Sequence, residues 1–210
     1  MQMNGLTGAL YKLSEWIMKL ALINILWLGF SVAGLVVFGF FPATIAMFVV
    51  IRKMLMGNFD VPVFKTFWES YKKDFMKSNL LGLIVVVLGY FLYVDVHLLK
   101  SSSGFINLLH YPVLLICLGY ILTLCYVFPT FVHYDLKVLQ VFRTSLYIML
   151  FNPLSTGLMV IGGVAIYLIM TTIPGLIPLY IGSVSAVILM WSAFFAFTKV
   201  ERIQASASKS

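Results

Sequence analysis

The feature that most constrains this chain is a run of 32 residues, Leu20 to Ile51, that contains no charged side chain. As one straight helix the run would be about 48 Å long, at about 1.5 Å per residue. The hydrocarbon core of a bilayer is only about 30 Å thick, so one transmembrane helix does not accommodate it. Gly34, Gly39 and Pro42 favour a tight turn and a new helix start within the run, and we predict a helical hairpin there.

Apolar runs of membrane length make up most of the remaining sequence. Of the 210 residues, 62% are hydrophobic and only 10% are charged, which is typical of a membrane protein and not of a soluble domain. We predict an all-α, polytopic transmembrane bundle with a single membrane domain over residues 1–198 and a disordered, polar cytoplasmic tail over 199–210. The six predicted apolar segments, of which the second is short and spans or re-enters the membrane, are residues 16–37, 42–56, 80–99, 111–132, 153–173 and 179–197.

The basic residues predict how these segments are oriented. With the hairpin, thirteen of the fourteen lysines and arginines face one side of the membrane, and only Lys100 faces the other. Because cytoplasmic loops carry an excess of Lys and Arg, we expect a multi-pass protein with both termini in the cytoplasm. If the charge-free run formed one span, Lys12 and Lys19 would move to the outer side, which the same rule disfavours.

One basic stretch, residues 62–77, has the pattern of an amphipathic helix in the membrane interface. Its apolar stripe recurs at three- and four-residue steps, and most of its lysines lie on the opposite side. Such a helix anchors a protein to an anionic leaflet, and aromatic, basic surfaces also suit partner recognition; both roles stay open. The apolar stripe comprises Val63, Phe64, Phe67, Trp68, Tyr71 and Phe75. The candidate partner surface comprises Arg52, Lys53, Lys65, Phe67, Trp68, Tyr71, Lys72 and Arg143.

A weak internal repeat connects this stretch with a later one. Val63-Phe64-Lys65-Thr66 resembles Val141-Phe142-Arg143-Thr144, and each precedes a long apolar span that begins after Asn79 or Asn152. A duplication would give two halves of three segments with parallel topology, as in several transporter folds. Four-residue matches also arise by chance, so both interpretations stay open.

The sequence contains no pattern of a metal, nucleotide or nucleophile site. The acidic residues and histidines lack metal-site spacing, and no Walker A, Gly-rich dinucleotide or GxSxG motif occurs. His133 and Asp135 are two residues apart and do not face each other on a helix. We expect no enzyme, no cofactor, no metal and no nucleic-acid partner. The centres of the segments contain no ionisable residue, which disfavours an ion-coupled carrier; Asn24 is the best candidate for a polar contact between helices.

Four short motifs occur together in the first half of the chain, namely Phe41-Pro42-Ala43-Thr44, Arg52-Lys53, Phe64-Lys65-x-Phe67-Trp68 and Ser78-Asn79-Leu80. In these motifs the chain resembles the YesL-like family of small bacterial membrane proteins of unknown function. The resemblance implies a location in the bacterial plasma membrane and an association with uptake of plant-cell-wall oligosaccharides by ATP-binding-cassette (ABC) importers. Lipid and the importer's permease subunits, or another membrane protein, would be its partners. The EAA…G coupling loop of ABC permeases does not occur, so we expect an accessory subunit.

Two other functions stay open. The protein could be a signalling or regulatory partner of a sensor kinase, in which case its deletion would abolish induction and leave uptake intact. It could also be an independent small transporter, in which case liposomes that contain only this protein would show substrate flux.

Overall fold

The computed structural model describes the backbone of residues 6–58, 60–100 and 110–207, and the side chains of residues 10–58, 60–99 and 110–202. The described residues form α-helices and no strand, as the all-α prediction requires. A short 3-10 turn, Pro174–Leu176, precedes the last helix. The eight helices are α1 (Leu6–Ala33), α2 (Phe40–Leu55), α3 (Val63–Lys73), α4 (Phe75–Lys100), α5 (His110–His133), α6 (Val138–Phe151), α7 (Pro153–Thr172) and α8 (Ile177–Ala207).

Five of these helices, α1, α4, α5, α7 and α8, are long and apolar enough to cross a bilayer. They correspond to five of the six predicted segments. The remaining segment is α2, whose 16 residues extend about 24 Å, less than the hydrocarbon core. The protein is therefore a helical, multi-pass membrane bundle in which the second apolar segment is short, as predicted.

The charge-free run folds back on itself. α1 ends at Ala33, residues 34–39 form a turn, and α2 begins at Phe40. Leu35 and Val36 adopt positive φ angles of 57° and 63°, a conformation that costs about 1–2 kcal/mol for each L-residue. Their side chains are 79% and 57% exposed. The hairpin is thus formed as predicted, with a strained and apolar tip.

α2 lies at the centre of the bundle. Ten of its sixteen residues are buried, and it packs against α1, α3, α4, α5 and α8. The indole nitrogen of Trp27 donates a hydrogen bond to the Thr44 hydroxyl at 3.0 Å. Phe48 stacks on Phe128 with 5.7 Å between ring centroids. Because four longer helices and the short α3 surround it, most of the surface of α2 meets protein instead of lipid.

The predicted amphipathic helix is present in two pieces. α3 ends at Lys73, and Phe75 begins α4 after a break at Asp74. The predicted range 62–77 therefore combines α3 with the first turn of a membrane-spanning helix. The two helices are nearly continuous in the chain, which explains why the apolar periodicity does not stop at their boundary.

Three residues of the predicted apolar stripe on α3 pack against protein. Val63, Phe67 and Tyr71 are only 6%, 0% and 8% exposed. The ring of Phe30, on α1, lies 5.3 Å from Phe67 and 5.1 Å from Tyr71. α1 and α2 thus cover this side of α3, whereas Phe64 and Trp68 of the predicted stripe are 58% and 38% exposed, beside the lysines. A position of α3 at the membrane surface stays a prediction.

The C-terminal tail differs from its prediction, because α8 continues through Ala207. Residues 199–207 extend an existing helix, and propagation lacks the cost of nucleation. Glu201 also contacts His133 at 3.3 Å, and the His133 ring stacks on Phe197 at 4.5 Å. The expectation of disorder is wrong for this segment. Residues 208–210 and the predicted outer loop, 101–109, lie outside the described residues.

α3 and α6 occupy similar places in the chain, each as a short helix before a membrane-spanning one. Val63 and Val141 are buried in the two copies of the weak repeat, and Lys65 and Arg143 are exposed. At these positions the two copies therefore match in burial as well as in sequence. The duplication itself stays a prediction.

The hairpin yields a first test. A Cβ atom on Gly34 would lie 2.6 Å from the backbone nitrogen of Gly39, so we expect Gly34→Ala to lower the free energy of unfolding by about 1–3 kcal/mol. Gly29, earlier in α1, has nothing within 4 Å of such an atom, and Gly29→Ala is the matched control, expected to be neutral or stabilising. Thermal unfolding in detergent measures both, and equal effects of the two variants would contradict the close approach.

Candidate functional site

A cleft of about 520 Å³ opens where α2, α3, α4 and the α5–α6 connection meet. We call it the charged cleft. Ile45, Val49, Phe131 and Val132 form its apolar part. Its ionisable lining residues are Arg52, Lys53, Glu69, Lys73, Asp74, Lys77, His133, Tyr134 and Asp135. Lysines and arginines therefore face carboxylates across one concave surface.

Helical spacing explains why these residues converge. Ile45, Val49 and Arg52 lie four and three residues apart, so they share one face of α2. Glu69 and Lys73 recur at a four-residue step in α3, and Lys77 continues that step into α4. The α2 face and the α3–α4 face thus each contribute residues at helical spacing to the cleft lining.

Arg52 is the least satisfied cation in this group. Its side chain is partly buried, and its buried Nε has no hydrogen-bond partner among the described residues. A buried donor without a partner costs about 1–3 kcal/mol. The Lys77 Nζ and an Asp135 carboxylate oxygen are 3.8 Å apart, and the two side chains are 59% and 100% exposed. This ion pair therefore contributes little to stability. The Arg52 Nε therefore adds no hydrogen bond to the stability of the described part of the chain.

His133 closes the cleft towards α8. The ring contacts Tyr134 at 4.7 Å and Phe197 at 4.5 Å, and Nε2 lies 3.3 Å from Glu201. Burial, and to a smaller extent the negative charge of Glu201, raises the pKa of Tyr134. Sequence reasoning gave His133 and Asp135 no role, because it treated both as helical. The helix ends at His133, and the extended chain then carries Asp135 to Lys77.

The predicted partner residues on α3 divide into two groups. Lys65 and Lys72 are exposed, and Trp68 is 38% exposed. Lys72 Nζ lies 4.6 Å from the Trp68 ring centroid, a cation–π contact worth about 0.5–1 kcal/mol at an exposed site. Phe67 and Tyr71 are buried, so they cannot contact a partner directly and instead position α3. We call Phe64, Lys65, Trp68 and Lys72 the exposed face of α3.

Tyr71 and Arg143 make specific contacts elsewhere. The Tyr71 hydroxyl donates to the Phe30 carbonyl oxygen at 3.4 Å, and burial raises the pKa of that hydroxyl. Arg143, on α6, donates to the Tyr147 hydroxyl at 3.4 Å. Arg52 and Lys53 line the charged cleft, whereas Arg143 does not belong to its lining.

Asn24 connects α1 to the start of α8. Its side chain is fully buried, and its Nδ2 donates to the Pro178 carbonyl oxygen at 2.8 Å. Its Oδ1 accepts from the backbone nitrogens of Gly182 and Ser183 at 2.9 and 3.1 Å. Pro178 and Gly182 are four residues apart, so the carbonyl oxygen of Pro178 and the N–H of Gly182 are the two groups that a helical hydrogen bond would join. The Asn24 side-chain amide bonds to both of them. A Cβ on Gly182 would lie 2.8 Å from Oδ1, which explains the glycine there.

The fold and the cleft define a polytopic helical membrane protein with a charged, concave surface between its helices. The family described as "Protein of unknown function, DUF624" matches residues 20–96, which include the α2, α3 and α4 walls of the cleft. Three relatives come from Bacillus subtilis (strain 168). "Uncharacterized protein YesV" is 42% identical, with 93% of this chain and 94% of the relative covered.

"Uncharacterized protein YteU" is 35% identical over 96% of this chain and 91% of its own length. "Uncharacterized protein YesL" is 35% identical over 97% of both chains. The chain therefore belongs to the YesL-like, DUF624 family of uncharacterised proteins. No solved structure shows significant similarity to it.

The Asn24 contact can be tested by truncation. Asn24→Ala leaves buried backbone groups of α8 without a partner, so we expect the free energy of unfolding to fall by about 2 kcal/mol. Asn79→Ala is the matched control, because the Asn79 amide donates within its own helix, to Phe75 at 3.0 Å, and we expect a loss below about 1 kcal/mol. If unfolding in detergent shows a larger loss of stability in Asn79→Ala than in Asn24→Ala, the assignment of this contact is contradicted.

The unsatisfied donor of Arg52 makes an unusual stability prediction. Arg52→Met keeps an apolar stem and removes the unpaired group, so we expect the free energy of unfolding to stay the same or rise by about 1 kcal/mol. The neighbouring cation is exposed, and Lys53→Met should change stability by less than about 0.5 kcal/mol. A loss above about 1 kcal/mol in Arg52→Met would show that the guanidinium stabilises the isolated protein.

Proposed function

We propose that this protein is an accessory membrane subunit of a carbohydrate ABC importer, and that it binds the importer through the charged cleft and the exposed face of α3. The charged cleft carries the proposal, because the exposed lysines Lys53, Lys73 and Lys77 line it beside Arg52. A carboxylate of a second protein would pair with these cations. The importer as partner follows from the family resemblance and its expected link to oligosaccharide uptake.

The exposed face of α3 has the composition of a protein-binding surface. Tryptophan is enriched among the residues that dominate binding energy, and Trp68 lies against Phe30 at 5.3 Å between ring centroids. Tyr71 stacks beneath it at 6.2 Å. These contacts hold the indole in place, so a partner would lose little conformational entropy in binding it.

The interior of the bundle supports a binding function over ion-coupled transport. Among the described residues, the buried side chains with polar groups belong to Asn, Ser, Thr and Tyr. Several of them bond to their own helix; Thr44 donates to the Phe40 carbonyl oxygen at 2.7 Å and Thr123 to that of Gly119 at 2.7 Å. Coupled carriers use charged or readily protonated groups within the membrane as ion or proton sites, and none of these buried residue types is charged at neutral pH.

Affinity purification from native membranes tests the proposal. Cells would be grown on pectin fragments, and the full chain would carry a tag after Ser210. We expect permease subunits of an importer at near-equal stoichiometry. Trp68→Ala and Arg52→Met should each lower their recovery about 10-fold or more, since loss of a binding anchor costs at least about 2 kcal/mol.

Trp191→Ala is the matched control, because Trp191 lies on α8 at 49% exposure and outside the proposed surface. Its recovery of permease should equal that of the unaltered chain. Purification of the protein alone, or equal losses in Trp68→Ala and Trp191→Ala, would reject the docking surface. Recovery of a sensor kinase instead would support the regulatory function, and flux in liposomes that contain only this protein would support a transporter.

A further inference from the structure

A second concave surface lies between α6 and the C-terminal turns of α8. It has a volume of about 740 Å³, within the range of about 300–1,000 Å³ that is typical of small-molecule sites. We call it the α6–α8 groove. The residues that line it are Tyr134, Leu136, Thr144, Tyr147, Ile148, Phe151, Lys199 and Val200. Most of this lining is apolar or aromatic, and Lys199 is the charged residue among them.

The outer surface of α6 continues this apolar character. Leu146, Leu150 and Phe151 are 44%, 61% and 72% exposed, whereas Val141 and Ile148 on the other side are buried. A helix in water would not expose so many large apolar side chains on one face. In a membrane protein such a face lies against acyl chains, so the groove opens onto lipid.

Two cations lie at or beside the groove. Lys199 on α8 belongs to the lining, and Arg143 on α6 is held beside the lining residue Tyr147, with its guanidinium carbon 5.5 Å from the ring centroid. Glu201 lies 3.3 Å from His133, and Asp135 lies 3.8 Å from Lys77. Lys199 and Arg143 thus place two positive charges next to a mostly apolar lining.

We propose that the α6–α8 groove binds one anionic glycerophospholipid. An acyl chain would lie along Phe151 and Val200, and the headgroup phosphate would lie between Lys199 and Arg143. The Tyr147 hydroxyl is placed to hydrogen-bond the same phosphate, because it already contacts Arg143 at 3.4 Å. The two cations and the apolar lining both fit this occupant. The groove shares Tyr134 and Leu136 with the charged cleft, but lipid binding there does not require the proposed importer contact.

Native mass spectrometry of the full chain in mild detergent tests this site. Phosphatidylglycerol and phosphatidylcholine with identical acyl chains would be added in equal amounts. We expect one retained phosphatidylglycerol, favoured about 10-fold or more over phosphatidylcholine. Arg143→Gln and Lys199→Gln should each weaken its binding about 5-fold, and together about 30-fold, as expected for about 1 kcal/mol per cation.

Lys65→Gln is the matched control, because Lys65 is exposed on α3, away from the groove, and should leave binding unchanged. Thr144→Trp fills the groove and keeps both cations, so it should remove the bound lipid without lowering the melting temperature by more than a few degrees. Equal retention of the two lipids, or an equal loss in Lys65→Gln and Lys199→Gln, would overturn the proposal. Displacement of the lipid by millimolar inorganic phosphate would also overturn it, since the site would then recognise phosphate without the acyl chain.

Discussion

Because the charge-free run of residues 20–51 is longer than the hydrocarbon core is thick, the chain has to turn within it, and the rest of the bundle is arranged around that turn. The turn at 34–39 returns α2 along α1. α2 is shorter than the hydrocarbon core is thick. Ten of its sixteen residues are buried, because five other helices pack around it. The strained φ angles of Leu35 and Val36 are a local cost that this central packing offsets.

Most of this fold could be predicted because hydrophobic length and Gly and Pro positions are direct constraints. The hairpin, the short second segment and the start of α7 at Pro153 follow from them. The environment of α3 could not be predicted, since a stripe such as Val63–Phe67–Tyr71 suits a lipid surface and a protein surface equally. Tertiary contacts with Phe30 decide between them. α6 differs from α3, because large apolar side chains such as Leu150 and Phe151 lie on its exposed face.

Only the α2 residues of the charged cleft could be predicted from the sequence. Arg52 and Lys53 stand out as the basic end of an apolar helix, and sequence analysis assigned both to a partner surface. The opposite wall comes from His133 and Asp135, about eighty residues later. No local pattern connects them to Arg52, and their spacing argues against a joint role only while both are on a helix. The end of α5 at His133 changes that geometry, and helix ends are poorly defined by sequence.

The charged cleft and the α6–α8 groove share a wall. Tyr134 and Leu136, in the connection between α5 and α6, line both, and the contact between His133 and Glu201 fixes this connection to α8. A lipid that packs against one side of the wall therefore restricts the same residues that face the cleft. Any effect of lipid on partner binding must be matched by an equal effect of the partner on lipid binding, because coupling between two sites is reciprocal. The connection, and not the membrane-spanning part of the bundle, is the element through which the two surfaces would communicate.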